Sequence, residues 1–193
     1  MNRYNPNIHH RRSIRLKGYD YSQAGLYFIT ICCQDRTCLF GEIENGEMQL
    51  NDIGKMIELE WLKLPNRFSK VELHEYVVMP NHFHAILEIV GATLVVAPNN
   101  DSGENNDGGE NKNRATTRVA PTKTIGDMMD AFKSITTVEY ILGVKTLGWP
   151  RFDGKIWQRN YPEHIIRNEQ SYQTISDYII NNPAKWAGDK FYL

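Results

Sequence analysis

Tyr76-Val77-Val78-Met79-Pro80-Asn81-His82-Phe83-His84-Ala85-Ile86-Leu87 is the stretch that decides how the chain is read. Two apolar runs flank Pro80-Asn81, a turn signal, so the spacing predicts a β-hairpin. Side chains alternate faces along a strand, which sets His82 and His84 on one sheet face just past the turn. Two imidazoles side by side form half of a metal site. Taken alone, the same pair also fits two polar residues at a strand entrance.

Working outward, Val71–Met79 reads as one strand and His82–Val90 as its antiparallel partner. Leu26–Cys33 is rich in β-branched and aromatic residues, which suits a buried strand. Asn51 or Asp52 caps a helix with Ile53, Met56, Ile57, Leu59 and Trp61 at helical spacing. A second helix is predicted over Ile125–Leu142, with Met128, Met129, Phe132, Ile135 and Val138 on its apolar face. A strand follows around His164–Ile166. The last helix starts after Asn168 and ends before Pro183, because proline disfavours helical geometry in the residue before it. The order predicts an α+β fold, a ferredoxin-like β-α-β-β-α-β antiparallel sheet with an added C-terminal helix. Helices on one face of such a sheet leave the other face free for a ligand or a further helix.

The 193 residues suffice for one buried core, so a single domain over 1–193 is expected. Pro98–Asn113 holds no large apolar residue, and a flexible insertion at about 91–124 is predicted. Its flanks, Ala92–Pro98 and Ala115–Pro121, echo each other. They fit a two-stranded arm and a duplicated low-complexity insertion equally well.

A formal net charge of −1 excludes a protein that coats nucleic acid by bulk attraction, so any such site must be a local patch. One patch is visible: Arg3, Arg11, Arg12, Arg15 and Lys17 face a single acid, Asp20, within the first 20 residues. Cys32, Cys33 and Cys38 are odd in number and lack C-x-x-C spacing, which fits a reducing cytoplasm better than disulfides or a zinc ribbon. No signal-peptide core and no stretch of membrane-spanning length appears, so a cytoplasmic protein without a membrane partner is expected.

In the last helix Tyr178 and Asn182 stand four apart and project from one face. Brought against the two imidazoles they make a compact site. His82, His84 and Asn182 would ligate a divalent ion, and Tyr178 would attack a phosphate held there. A free phenol titrates near pH ~10, so a neighbouring cation would be needed to favour the phenolate. On this helix alone, Tyr178 also reads as a core aromatic and Asn182 as a helix terminator.

Four ordered segments go further: Met79–His84, Ala131–Ser134, Ile156–Tyr161 with Glu163–Arg167, and Asp177-Tyr178-Ile179-Ile180-Asn181-Asn182-Pro183. Together they resemble the HUH single-tyrosine transposases, and more narrowly the REP-associated tyrosine transposase branch. The resemblance spans Arg11 to Trp186, apart from the insertion. It implies His82 and His84 as metal ligands, Tyr178 as nucleophile and Asn182 as the third ligand, where related enzymes carry glutamine. It implies Mg²⁺ or Mn²⁺ as cofactor, although coordination preference alone would give an imidazole pair a softer ion. The implied activity is that of a DNA endonuclease and transposase acting in transposition and DNA recombination. Single-stranded DNA is cleaved and transferred through a 5′-phosphotyrosine link, at hairpin-forming repeats beside a short guide sequence, in the cytoplasm at the nucleoid.

The resemblance makes Arg11, Arg12, Arg15 and Lys17 candidate DNA contacts, with Tyr19 or Tyr21 able to stack on an unpaired base. Lys133 and Arg159 are further DNA-binding candidates, though a solvated lysine is the ordinary reading of Lys133. Insertion-sequence relatives form homodimers that exchange the tyrosine helix, whereas the repeat-associated branch looks monomeric. Two other readings fit the same fold: a replication-initiation or mobilisation nickase, and a non-catalytic nucleic-acid-binding module. The Y-I-I-N-N-P ending favours the transposase over the first. Val77–Leu87 lacks the glycine- and aromatic-rich signature that the second requires.

Overall fold

The computed structural model describes residues 16, 18–91 and 123–192. In chain order its elements are β1 (Gly25–Cys32), β2 (Gly41–Glu44), β3 (Glu47–Leu50), α1 (Asp52–Leu62), α2 (Leu64–Arg67), β4 (Val71–Met79), β5 (His82–Ile89), α3 (Ile125–Thr146), β6 (Glu163–Ile166) and α4 (Glu169–Ile180). A 3₁₀ turn, Pro183–Gly188, follows α4. The main sheet runs β4-β5-β1-β6 and every neighbouring pair is antiparallel. This is the expected ferredoxin-like order, with β5 inserted between β4 and β1. Among the described residues no helix is long and apolar enough to cross a membrane.

Strand alternation sorts the side chains. Tyr27, Ile29 and Ile31 of β1 and Phe83, Ala85, Leu87 and Ile89 of β5 enter the main core with Ile57 and Trp61 of α1 and Met129 and Phe132 of α3. Trp61 is fully buried, with ring centroids 4.9 Å from Phe83 and 5.6 Å from Phe132. Truncating such a side chain costs about 3–5 kcal/mol. The opposite face carries Leu26, Phe28 and Ile86 under Ile175 and Ile179 of α4. His82 and His84 belong to this second face. They lie opposite Cys32 and Thr30 in the β1–β5 register.

β4 departs from regular pairing once. Leu73 lies opposite Leu87 but Tyr76 lies opposite Ala85, so β4 carries one extra residue between them.

Three expectations need correction. The hairpin of β2 and β3 was not anticipated, although its turn residues Asn45 (φ 53°) and Gly46 (φ 81°) form the Asn-Gly pair that suits a two-residue hairpin loop. The helix expected to end at Leu142 continues to Thr146, because Gly143 packs against the Trp149 ring instead of stopping it. Leu59 and Val138, assigned to buried helix faces, are exposed. On α3 the buried stripe passes through Thr136 and Tyr140. Thr136 gives its proton to the Phe132 carbonyl (2.8 Å) and accepts one from Trp157 Nε1 (2.9 Å), which makes a polar residue tolerable there.

The first fifteen residues, residue 17, and residues 92–122 lie outside the described part. The proposed DNA contacts Arg11, Arg12, Arg15 and Lys17 and the two-stranded arm therefore lie outside the described residues, as does all but the ends of the predicted insertion.

Candidate active site

β5 and α4 bring the four site residues read from the sequence to one place. The rings of His82 and His84 lie 4.5 Å apart between centroids, both fully buried. Each imidazole is oriented by a partner behind it. The Asn81 amide nitrogen donates to the carbonyls of Arg36 (3.0 Å) and Phe191 (2.9 Å), which fixes its oxygen towards His82 Nδ1 at 2.9 Å. That nitrogen therefore carries the proton, and Nε2 presents its lone pair to the site. Thr30 Oγ1, 2.8 Å from His84 Nδ1, orients the second ring. Such outer partners fix ring orientation in metal-binding histidines.

Asn168 accepts from the Ser171 amide (2.8 Å) and starts α4. On the last turn Tyr178 extends its hydroxyl to His84 Nε2 (3.1 Å). Asn182 follows the helix end and is buried. Its Nδ2 donates to Asp189 Oδ2 at 3.2 Å, and the same carboxylate oxygen accepts from Tyr178 Oη at 3.4 Å.

Asp189 is the site residue that sequence reading missed. It follows the 3₁₀ turn that folds the tail back across the sheet face, and no spacing relates it to the histidines or the tyrosine. Ligand atoms of His82, His84 and Asp189 all lie within 4.8 Å of one another. Phe191 covers them, its ring centroid 4.5 Å from that of His82.

Electrostatics follow from this burial. Desolvation pushes His82 down to about 4, opposed in part by the Asp189 carboxylate. It pushes His84 well below the usual imidazole range, helped by the charges of His82 and Lys190. Burial and Asp189 together raise the Tyr178 phenol. At neutral pH the site thus presents two neutral imidazoles and a protonated phenol beside Asp189. His82 Nε2 and Asn182 Oδ1 are buried with no hydrogen-bond partner. Unsatisfied buried acceptors cost about 1–3 kcal/mol each, and a cation bound at such an atom removes that cost. The nitrogens of His82 and His84 and a carboxylate oxygen of Asp189, grouped this closely, could hold a divalent ion.

The other candidates lie elsewhere. Lys133 turns its ammonium onto the carbonyls of Gln158 (2.9 Å) and Arg159 (3.2 Å) and over the Tyr161 ring. Burial lowers it to about 8. Arg159 is exposed and lines an open cleft with Lys133 and Lys155. Tyr161 and Trp157 are buried in the main core.

Among known proteins, no family model matches the chain. An uncharacterized protein of Haemophilus influenzae is 42% identical over 194 residues, covering 99% of this chain and 98% of its own. A second protein of that organism, provisionally named a REP-associated tyrosine transposase, is 22% identical over 167 residues, covering 86% of this chain and 74% of its own. Among solved structures, a REP-associated tyrosine transposase bound to a REP hairpin has this fold. Its TM-score is 0.54 at 20% identity, over 91% of this chain and 76% of the other.

Proposed function

We propose that this chain, which belongs to one family with the uncharacterized Haemophilus influenzae protein and shares the motifs and fold of the REP-associated tyrosine transposases, cleaves and rejoins single-stranded DNA. The observation that carries the reading is the Tyr178 hydroxyl, 3.1 Å from His84 Nε2 and beside Asp189, at the mouth of a buried histidine pair.

Tyr178 Oη attacks the phosphorus of a phosphodiester. A new P–O bond forms to the tyrosine as the bond to the 3′ oxygen breaks, leaving a 5′-phosphotyrosine and a free 3′-OH. The single phenolic proton, shared in the metal-free site between His84 Nε2 (3.1 Å) and Asp189 Oδ2 (3.4 Å), passes to Asp189 Oδ2, and the protonated Asp189 then returns it to the departing 3′ oxygen. One phosphodiester replaces another, so an incoming 3′-OH can reverse the step without ATP. Mg²⁺ or Mn²⁺, held by His82, His84 and Asp189 with Asn182 as a further oxygen donor, would polarise the phosphate and favour the phenolate. His82 and His84 stay neutral to receive it, and Phe191 keeps bulk water from their rings.

The substrate is a hairpin-forming repeat with single-stranded flanks, a reading supported by the hairpin in the related solved complex. Arg11, Arg12, Arg15, Lys17, Lys133 and Arg159 are the proposed DNA contacts. We read the protein as cytoplasmic, and the packing of Tyr178 of α4 against His84 of the same chain favours a monomer over a helix-exchanged homodimer. Incubation with single-stranded DNA from the flanks of its own gene should yield a protein–DNA adduct that survives denaturing electrophoresis. Tyr178→Phe should abolish the adduct while hairpin binding persists. An undiminished adduct in that variant would move the nucleophile to another tyrosine, of which Tyr172 lies on the same sheet face as the site while Tyr161 is buried in the main core.

A further inference from the structure

α4 carries the nucleophile yet is thinly packed. Of its residues only Ser176 and Ile179 are buried. Apolar contact is non-directional, so a few isoleucines leave a helix free to slide or roll on a sheet. A polar cluster within the two turns before Tyr178 supplies the missing direction. Glu75 Oε2 of β4 accepts from Tyr172 Oη (2.9 Å) and from Ser176 Oγ (3.2 Å). These donors are four apart, on one stripe of the helix. Tyr172 Oη also meets His74 Nδ1 at 3.1 Å, and His74 Nε2 meets Glu88 Oε2 at 3.1 Å.

Consecutive residues of a regular strand point to opposite faces, so His74 and Glu75 cannot both ordinarily reach one helix. They do so because the extra residue between Leu73 and Tyr76 falls at this point. Leu73 and Tyr76 on either side still pack against the main core, and the bulge turns both intervening side chains towards α4. Bulges re-aim side chains beside functional sites.

We infer that the β4 bulge and the Glu75 carboxylate form a bracket that fixes the register of α4, making Glu75 a positioning residue for the Tyr178 nucleophile. This rests on the reading of Tyr178 as nucleophile. The hydrogen bonds of the Glu75 carboxylate go to Tyr172 and Ser176, not to His82, His84 or the phenol of Tyr178. Its effect is geometric: a displacement of about 1 Å at a reacting group can cost on the order of 10²-fold in rate.

The test compares Glu75→Ala with Glu75→Gln, whose amide oxygen can still accept from Tyr172 and Ser176. Single-turnover adduct formation should fall about 10- to 100-fold in the alanine variant and recover to within severalfold in the glutamine variant. Hairpin affinity and Mn²⁺ affinity should stay within twofold in both. A fluorotyrosine placed at position 178 should give one sharp ¹⁹F resonance in the wild type and Glu75→Gln, and a broadened or split one in Glu75→Ala. Should Glu75→Ala fail to fold, Ser176→Ala and Tyr172→Phe each remove one donor and should show smaller losses of the same kind. An unchanged rate and resonance in Glu75→Ala would overturn the bracket. A parallel loss of Mn²⁺ binding and hairpin affinity would reduce Glu75 to a folding residue and overturn it too. The ¹⁹F comparison needs no cleavage, so it stands apart from the failure of a wild-type protein to form any adduct, which would sink the nuclease reading instead.

Discussion

Tyr178→Phe should do two opposite things: end covalent attachment to DNA and tighten divalent-ion binding. The hydroxyl lost is the one that meets His84 Nε2 at 3.1 Å, the lone pair a metal ion needs. In the metal-free wild type an entering ion must displace that hydrogen bond. In the variant the imidazole, 1% exposed, waits with its acceptor unsatisfied. Leaving a buried acceptor unpaired costs about 1–3 kcal/mol. Tyr178 is 36% exposed, so water can approach from its side, and the low end, about 1 kcal/mol, applies. Mn²⁺ should then bind about fivefold tighter, and the metal-free variant should melt about 2–4 °C below wild type. Saturating Mn²⁺ should close that gap. Calorimetric titration of both proteins without DNA measures the first quantity and thermal melts the second. Equal or weaker Mn²⁺ binding by the phenylalanine variant would refute the reasoning, since the phenolic oxygen would then be neutral towards the ion or help to hold it.

Other outcomes follow from the same geometry. His82→Ala and His84→Ala should each abolish Mn²⁺ binding and cleavage. Asp189→Asn should weaken binding at least about tenfold, and Asn182→Ala less, with Asn182→Gln retaining activity; titration of each variant decides, and wild-type affinity in Asp189→Asn would remove that carboxylate from the ligand set. For the metal-free protein, His82 drops from its ordinary 6.5 to about 4 on folding. Between those values the unfolded chain binds a proton that the folded one refuses, so stability falls as pH drops, by at most about 3 kcal/mol for this group. Urea melts from pH 7 to 4.5 should show the loss, and His82→Gln should lessen it. Gly143→Ala should destabilise by about 1–3 kcal/mol, read by denaturant melts, because its new methyl collides with the Trp149 ring.

Much of this was legible in the chain itself. The Pro80-Asn81 turn set the β4–β5 hairpin, and strand alternation put both histidines on one face. Helical spacing paired Tyr178 with Asn182. Periodicity was less decisive where a glycine or threonine sits on a buried stripe: the expected helix ended at Leu142, short of Gly143, and its apolar face left out Thr136, and only Trp149 and Trp157 packed against them show why both are buried. Asp189 was illegible for a different reason. Its role comes from a tail folded back through a 3₁₀ turn, and no local pattern encodes where a tail returns. The bulge at His74-Glu75 has the same character, since it is defined only against the opposing residues of β5.

The order in which these segments leave the ribosome has a consequence. Domains form from their N-terminal parts first, and β1, β4 and β5, with both histidines, precede residue 90. The nucleophile arrives nearly a hundred residues later, and Asp189 and Phe191 close the site after that. On the proposed function, a nascent chain can thus display its histidine pair while carrying nothing able to cut, and the means of breaking a strand would be complete only as synthesis of this region ends.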